Sequence, residues 1–569
     1  MKEKITGAEA LIRALLAEGV DTVFGYPGGQ IITVYDKLYD YADKLHHILV
    51  RHEQGAIHAA EGYARVSNRT GVVIVTSGPG VANVVTGLSD AQMDSTPVVV
   101  ISGQVGAKFL GCDAFQETDV VGITLPVTKW SMQVRNAEDI PWAVAKAFYI
   151  ANSGRPGPVV LDISRDAQVG TLNWEFKPIK FIRSYNPNPS IPPSLLLKTA
   201  ALLNGAKRPI ILAGHGVMIS SAEKELISIA EKADIPVATT LLGLSNIPSD
   251  HPLNKGMLGM HGNIGPNYLL NQADVILGIG LRFDDRITGD ATHYANQAKI
   301  IHIDIDPSEL SRIIPAEVAI HGDAKEALTQ LLPLIDEAKH TDWNAEFESC
   351  RADEQRLVID KELHHDGPLT MGEVVECVSE AAGDSAILVT DVGQNQMMSA
   401  RYFKYTMPKS IVTSGGLGTM GFGLPAAIGA KLAAPDRTVC FFSGDGGFQM
   451  TIQELGTIMQ YGVNVKIVVL NNSFLGNVRQ WQYLFYNKRY SQTPLADPDF
   501  CMICSAYNIA SEKVTDRSEL AAAVDRMMNH DGSYLLNVVV NEKDNVFPMI
   551  PPGGRTDHIM LNEKDYYTR

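Results

Sequence analysis

Cysteine is scarce in this chain: six residues in 569, Cys112, Cys350, Cys377, Cys440, Cys501 and Cys504. They are too few and too scattered for a disulfide framework, so a reducing compartment, the cytoplasm, is the expected location. Cys501-x-x-Cys504 lacks the second pair that a zinc site needs. Asp497-Pro498 ahead of it reads as a helix N-cap with Pro in the first turn, and Phe500, Ile503, Cys504 and Tyr507 fall on one helical face, which predicts a core helix. No apolar run approaches the ~18 residues that span a bilayer. The start, Met1-Lys2-Glu3-Lys4, leads into a charged amphipathic helix rather than a signal peptide. Basic residues are outnumbered, 48 Lys plus Arg against 64 Asp plus Glu, for a net charge of −16. That balance excludes the electrostatic footprint of a nucleic-acid or anionic-membrane binder. An anionic ligand would have to be held by backbone N–H groups and local cations. What is plentiful is ordinary packed protein, 45% hydrophobic and 20% charged, enough at ~150 residues per domain for three or four domains.

Periodicity is lost at 171–193, where Pro178, Pro187, Pro189, Pro192 and Pro193 gather into a linker. It is lost again at 336–367, a charged helical stretch ending at His364-His365-Asp366-Gly367, whose histidines are expected to be solvated. Three blocks remain, 1–170, 194–335 and 368–550, with a tail at 551–569 expected to order over the site on ligand binding. Each block alternates short β-branched runs with amphipathic helices, which predicts α/β domains on doubly wound parallel sheets. In the first helix, Thr6-Gly7-Ala8-Glu9 reads as a capping box, Leu11, Ile12, Leu15 and Leu16 as the buried face, and Gly19 as the stop. Blocks one and three echo each other. The run 72–76, the turn Ser77-Gly78-Pro79-Gly80, a helix and the run 98–101 parallel 439–442, Ser443-Gly444-Asp445-Gly446, a helix and 466–470. Two outer domains of one fold around a different middle domain are expected.

Block three carries the strongest site signal. Gly444, Asp445, Gly446 and Gly447 follow a strand and open a helix, so backbone N–H groups face an anion and small residues admit a diphosphate. Asn472 comes 27 residues after Asp445, also at a strand's carboxyl end, where open α/β sheets bind ligands. A carboxylate, an amide oxygen and diphosphate oxygens make a hard oxygen set suited to Mg²⁺. The run Gly416-Leu417-Gly418-Thr419-Met420-Gly421 also matches a dinucleotide glycine pattern, with Asp445 in the place of the ribose acid. That nicotinamide reading leaves Gly446, Gly447 and Asn472 unexplained. In block one, Glu53 opens a helix whose Ala56, Ala59, Ala60 and Gly62 permit close packing. A carboxylate there is either a solvated first-turn residue favoured by the helix dipole or a working group.

Taken together, several segments carry a resemblance. They are Phe24-Gly25-Tyr26-Pro27-Gly28-Gly29, Arg51-His52-Glu53-Gln54-Gly55-Ala56, Thr76-Ser77-Gly78-Pro79-Gly80, Asp113-Ala114-Phe115-Gln116-Glu117 and Gly154-Arg155-Pro156-Gly157-Pro158. With them go Leu258-Gly259-Met260-His261-Gly262, Arg282-Phe283-Asp284-Asp285-Arg286, and Gly444-Asp445-Gly446 with Asn471-Asn472. In this order, from about residue 5 to 555, they resemble the catalytic subunits of the acetohydroxyacid synthase (acetolactate synthase) family.

The resemblance implies a pyrimidine-binding domain at 1–170, an FAD-binding middle domain at 194–335 and a diphosphate- and Mg²⁺-binding domain at 368–550. It implies thiamin diphosphate, Mg²⁺ and FAD as cofactors, with FAD in no net redox role. The implied reaction decarboxylates pyruvate and transfers the hydroxyethyl group to a second 2-keto acid, pyruvate or 2-ketobutyrate, in valine, leucine and isoleucine biosynthesis. The implied assembly is a homodimer with active sites between chains, its pairing into tetramers left open, served by a separate regulatory small subunit. Glu53 would act on the aminopyrimidine and Met420 would bend the cofactor, while Gly28, Phe115, Gln116, Arg286 and Trp481 would face the keto acids. Tyr26, Pro27, Pro79, Asn83, Val392, Gly393, Gln394, Gly418, Gly444, Gly446 and Gly447 would line the cofactor, and Asp445, Asn472 and Phe474 would hold the metal. Gly214, Gly216, Thr240, Leu241, Leu258, Met260, His261, Gly280, Arg282, Asp284, Arg286, Asp304, Ile305 and Asp323 would contact FAD. Gln30, Arg165, His215, Asn395 and Asn477 depart from the family pattern of Ala, Lys, Gly, His and Met, which bears on acceptor preference rather than reaction class. A flavin-independent thiamin enzyme is opposed by the Arg286 motif, Trp481 and the FAD set. A binding protein without turnover is opposed by the joint presence of Glu53, Asp445 and Asn472.

Overall fold

The computed structural model describes residues 3–363 and 365–569, so Met1, Lys2 and the first histidine of the His364-His365 pair lie outside the described residues. The apolar runs become strands buried on both faces: every residue of Gly71–Val75, Val98–Gln104 and Pro209–Ala213 is buried. Helices covering both sides of a parallel sheet require such unbroken apolar runs.

Three six-stranded sheets result, each wholly parallel. The N-terminal sheet comprises Thr22–Gly25, His46–Leu49, Gly71–Val75, Val98–Gln104, Trp130–Val134 and Val159–Ser164; numbered in chain order, its strands lie 2-1-3-4-6-5. The C-terminal sheet, Ile387–Thr390, Ile411–Val412, Val439–Gly444, Lys466–Asn471, Ala510–Val514 and Tyr534–Val539, has the same order. The middle sheet, Pro209–Ala213, Val237–Thr239, Asn254–Met257, Val275–Ile279, Lys299–Asp304 and Val318–His321, lies 3-2-1-4-5-6, the order of dinucleotide-binding folds. The echo between the outer blocks is therefore a shared topology, and the nicotinamide reading of 416–421 loses its fold, because that loop sits in a sheet of the other order.

The outer domains meet through the helices that follow strand 2 of each sheet, Glu53–Ser67 and Gly423–Ala433. A side chain on Gly62 would stand 2.1 Å from the Ala426 carbonyl oxygen, and one on Gly429 1.8 Å from that of Ala59. The small residues bring backbone against backbone. The linker begins with a strand, Thr171–Asn173, that turns back to pair antiparallel with Lys4–Thr6. The charged stretch forms the helix Thr341–Glu354, whose Trp343, Phe347 and Cys350 bury against the middle domain. In the tail, Ile559 and Tyr567 pack into that same apolar cluster, the Tyr567 hydroxyl donates to Asp353 at 2.9 Å, and Glu563 accepts from the Tyr483 hydroxyl of the C-terminal domain.

Three local expectations need correction. Thr6 Oγ1 accepts the Glu9 N–H at 3.2 Å, but the Glu9 carboxylate turns to Arg13 at 2.6 Å, so only half of the capping box forms. The helix after Asp497-Pro498 is Phe500–Ala506, capped by Asp499 rather than Asp497; its Phe500 and Cys504 are buried as expected. His365 is not simply solvated: its Nδ1 accepts the Gly367 N–H at 2.9 Å.

Candidate active site

In the C-terminal sheet, strands 1, 3 and 4 are neighbours, and their carboxyl ends deliver 391–394, Asp445 and Asn472 side by side. Asp445 is fully buried; its Oδ1 accepts the Gly446 N–H at 2.9 Å, while Oδ2 is buried without a partner. Burial, then the neighbouring Asp497 carboxylate, push its pKa up to about 7. The buried Asn472 donates to Gln394 Oε1 at 3.2 Å and accepts the Phe474 N–H at 3.2 Å. Among the described residues no group of three His, Cys, Asp or Glu could hold a metal. A cation at Asp445 would therefore draw on carboxylate, amide, carbonyl and ligand oxygens, a donor set that fits Mg²⁺ rather than zinc.

The glycines here divide their work. A side chain on Gly447 would meet Asp391 Oδ1 at 2.3 Å, so this glycine makes room for protein, whereas Gly444 has only Asn395 Nδ2 nearby, at 3.4 Å. One on Gly446 would meet Leu475 at 2.8 Å and come within 3.8 Å of Met420. Asp391, absent from the residues expected at the site, accepts N–H groups from Val392 (2.8 Å), Gly421 (3.0 Å) and Gly423 (3.0 Å). It thereby ties Val392 and Gly393 to the loop of Gly418 and Met420. Gln394 donates to Gln480 and to the Asp544 carbonyl, both at 3.0 Å.

The N-terminal sheet presents a second group at the equivalent edge. Glu53 is the first residue of its helix, capped by His52, and its Oε2 accepts from Asn83 Nδ2 at 2.9 Å. Tyr26, Pro27 and Gly28 follow strand 1; a side chain on Gly28 would meet Thr76 at 2.6 Å, and one on Gly80 would meet Glu53 Oε1 at 3.4 Å. Pro79 starts the short helix Pro79–Ala82. Gln116 lies over Gly78, whereas Phe115 is 84% exposed. Among the described residues no hydrogen bond joins the Glu53 group to the Asp445 group within one chain.

In the middle sheet, strands 1 and 4 are neighbours, the point at which strand order reverses and nucleotides bind. Gly214 and Gly216 follow one and Gly280 the other; Gly216 N–H donates to the Gly280 carbonyl at 3.0 Å, and a side chain on Gly216 would lie 2.6 Å from Gly280 Cα. Burial raises the Asp304 pKa to about 7 at the end of strand 5. Leu258 N–H donates to the Thr239 carbonyl at 3.0 Å, and Thr240 caps the turn Leu241–Gly243. Arg282 pairs with Asp284 at 2.9 Å, and Met260 N–H donates to the Arg286 carbonyl at 2.8 Å. His261 is buried, its pKa pushed down to about 3 by burial and then by the Arg401 charge. Two members of the set do local work: Asp323 caps the helix Ala324–Leu331, and the Ile305 carbonyl sits 3.1 Å from His321 Nε2.

Arg286 points outward, its side chain 58% exposed and 3.4 Å from Asp285. Trp481 and Asn477 lie one turn apart on the helix Gly476–Phe485 and line a cavity of about 740 Å³ together with Val478, Phe485 and Arg489. The Asn477 amide oxygen is buried without a partner. Asp94 and Glu454, two further buried carboxylates, grip turns of the opposite outer domain. No local motif marks either of them; only the strand–glycine pattern around Asp391 was a usable signal.

Comparisons with known proteins agree with this division. Three family models match in chain order: the N-terminal TPP binding domain of thiamine pyrophosphate enzymes over residues 5–123, their central domain over 196–331, and their C-terminal TPP binding domain over 391–538. The fold is thus that of the thiamine pyrophosphate enzymes. The chain is 44% identical, over 97% of its length and 95% of the relative's, to the probable acetolactate synthase large subunit of Methanocaldococcus jannaschii. It is 43% identical to the acetolactate synthase isozyme 2 large subunit of Escherichia coli K12, over 98% of this chain and 99% of that one. With the acetolactate synthase large subunit of Lactococcus lactis it shares 41% identity, over 98% and 97%. The chain belongs to the acetolactate synthase large-subunit family.

Proposed function

We propose that the chain is a catalytic subunit that makes acetolactate from two molecules of pyruvate, or acetohydroxybutyrate from pyruvate and 2-ketobutyrate, for branched-chain amino acid biosynthesis. The observation that carries this reading is the unpartnered Asp445 Oδ2 beside Asn472, at adjacent strand ends of the domain that matches the C-terminal TPP binding model. Thiamin diphosphate, when bound, supplies a nucleophilic carbon and an electron sink for decarboxylation. Asp445, Asn472 and the Phe474 carbonyl would hold Mg²⁺, whose charge would favour the ionised form of the buried Asp445. Glu53, aimed by Asn83, holds and returns the proton at the aminopyrimidine ring. Met420, on the loop anchored by Asp391, would pack against the cofactor. Arg286 binds the acceptor carboxylate, for which a guanidinium fork is suited, and Trp481 shapes the acceptor pocket. FAD would be held at the switch point of the middle sheet, where Gly214, Gly216 and Gly280 follow strands 1 and 4.

The active assembly is a dimer in which Glu53 of one chain meets Asp445 and Asn472 of the other. In favour are exposed apolar residues near both groups, Tyr26 (40%), Phe115 (84%), Leu417 (44%) and Val478 (50%), which a second chain would cover. A separate regulatory subunit is expected from the large-subunit character of the relatives. Cytoplasmic residence fits six unpaired thiols and the absence, among the described residues, of a helix long and apolar enough to cross a membrane. The test is turnover of pyruvate with thiamin diphosphate and Mg²⁺, with and without FAD. Acetolactate that requires FAD supports the reading; acetaldehyde, acetyl phosphate or peroxide as the product overturns it.

A further inference from the structure

Glu454 ends the short turn Ile452–Glu454 between strands 3 and 4 of the C-terminal sheet and is fully buried. Its two carboxylate oxygens accept the Arg51 N–H, at 3.1 and 3.2 Å, and Thr457 Oγ1 donates to it at 2.7 Å. Arg51 lies just ahead of Glu53 in the other outer domain. A side chain on Gly55 would strike Glu454 Oε1 at 2.5 Å, so the carboxylate lies across the first turn of the Glu53 helix. The Arg51 guanidinium is held in turn by the Gly456 carbonyl at 2.9 Å and Gln460 at 2.8 Å.

Asp94 is the counterpart on the opposite domain. It ends the helix Val85–Asp94, between strands 3 and 4 of the N-terminal sheet, and is buried. Its oxygens accept the N–H groups of Gly415 at 2.9 Å and Gly416 at 2.7 Å, in the turn that follows strand 2 of the C-terminal sheet and leads to Gly418 and Met420. Arg65 balances its charge at 2.7 Å. Each carboxylate thus leaves the 3-to-4 connection of its own sheet and grips the turn after strand 2 of the other. Burying a carboxylate is costly unless it is hydrogen-bonded, and its charge-assisted bonds to backbone N–H groups are directional. Apolar packing would join the domains without fixing those two turns.

We propose that Glu454 and Asp94 are reciprocal positioning residues, each holding across the junction the turn from which the other domain presents its cofactor-facing residues: Glu454 sets Glu53, and Asp94 sets Gly418 and Met420. The functional consequence rests on the thiamin diphosphate reading, whereas the geometry does not. With the cofactor between two chains, Glu53 and Met420 of one chain serve different sites, so the paired clamps tie the two sites of a dimer together.

The test uses Glu454→Gln and Asp94→Asn in the full chain. Amide hydrogen exchange is followed by mass spectrometry over residues 49–56 and 414–421. Glu454→Gln should speed exchange about tenfold in the first segment and leave the second unchanged, and Asp94→Asn should do the converse. In Glu454→Gln, exchange of the thiamin diphosphate C2 proton into D₂O should fall about tenfold or more, while cofactor Kd moves less than about threefold, a split that general loosening would not produce. Should Glu454→Gln not fold, Gly55→Ala displaces the carboxylate from the other side and should give the same segmental signature. Exchange that stays at the wild-type rate in the targeted segment, or rises equally in both, overturns the proposal, as does a C2 rate within about twofold of wild type. A wild-type chain that binds no thiamin diphosphate would sink the thiamin reading alone, and the amide data would still decide the clamps.

Discussion

The two outer domains have one topology and, on the proposed function, divide the chemistry between them. Both sheets run 2-1-3-4-6-5, and both present their candidate residues at the carboxyl ends of strands around the switch between strands 1 and 3. The difference lies in what each edge carries. The N-terminal edge offers a carboxylate that is partly open and aimed by an amide, Glu53 with Asn83, as proton chemistry requires. The C-terminal edge offers a fully buried carboxylate whose free oxygen has no proton donor, Asp445, as a cation requires. One backbone plan thus serves two jobs because burial and hydrogen-bond partners, not strand order, decide what a carboxylate can do. The middle domain makes the same point from the other side, since its different order opens a different crevice.

The sharpest way to break the comparison is to disable one edge at a time. Glu53→Gln and Asp445→Asn should each lower turnover by about 100-fold or more. If the edges meet between chains, mixing the two inactive variants after dissociation should restore about a quarter of wild-type activity, since half of the dimers are mixed and each has one intact site. No restoration would place both edges in one chain.

A smaller effect separates the two carboxylates by pH. The folded pKa of Asp445, about 7, lies above its ordinary unfolded value. Its stabilising contribution is therefore full below about pH 4 and is lost as pH rises through 7. In chelator, Asp445→Asn should gain on wild type from pH 4 to 8, by up to about 3 kcal/mol in urea unfolding. Mg²⁺ with thiamin diphosphate should reverse the order at pH 8. An unchanged difference across that range would contradict a raised Asp445 pKa.

The paired helices give the next test. Gly62→Ala and Gly429→Ala each place a methyl group onto a partner carbonyl, so each should cost about 1–3 kcal/mol by thermal or urea unfolding, to a similar degree if the junction is pseudo-symmetric. The smallest effect concerns a feature of the C-terminal domain. Asn477→Met removes the unpartnered amide oxygen from the Trp481 cavity and should shift the preference between pyruvate and 2-ketobutyrate by less than about tenfold, measured by competition.

Much of this architecture was legible because its signals are local. Glycine turns after β-branched runs mark strand ends, and strand ends are where Asp445, Asn472 and Glu53 stand. The echo between 72–101 and 439–470 was visible for the same reason, although it could not reveal the common strand order. Gly447 shows where local reasoning stops: its missing side chain reads as room for a diphosphate, yet it accommodates Asp391, from a strand more than fifty residues earlier. Asp-Pro at 497–498 carries the local signal of a helix start, yet the nearby Asp499 caps the helix and Asp497 faces Asp445.

By itself the sequence determined the class of each domain, the strand-end placement of the candidate residues and the lack of an electrostatic footprint for nucleic acid or anionic membrane, since these follow from periodicity, turn chemistry and composition. Only the tertiary structure decided which carboxylates work in pairs across the chain. Asp94 with Gly415 and Gly416, and Glu454 with Arg51, join residues separated by more than 300 positions. Neither partner carries a local mark, because a buried carboxylate acquires its role from the N–H groups that surround it after folding.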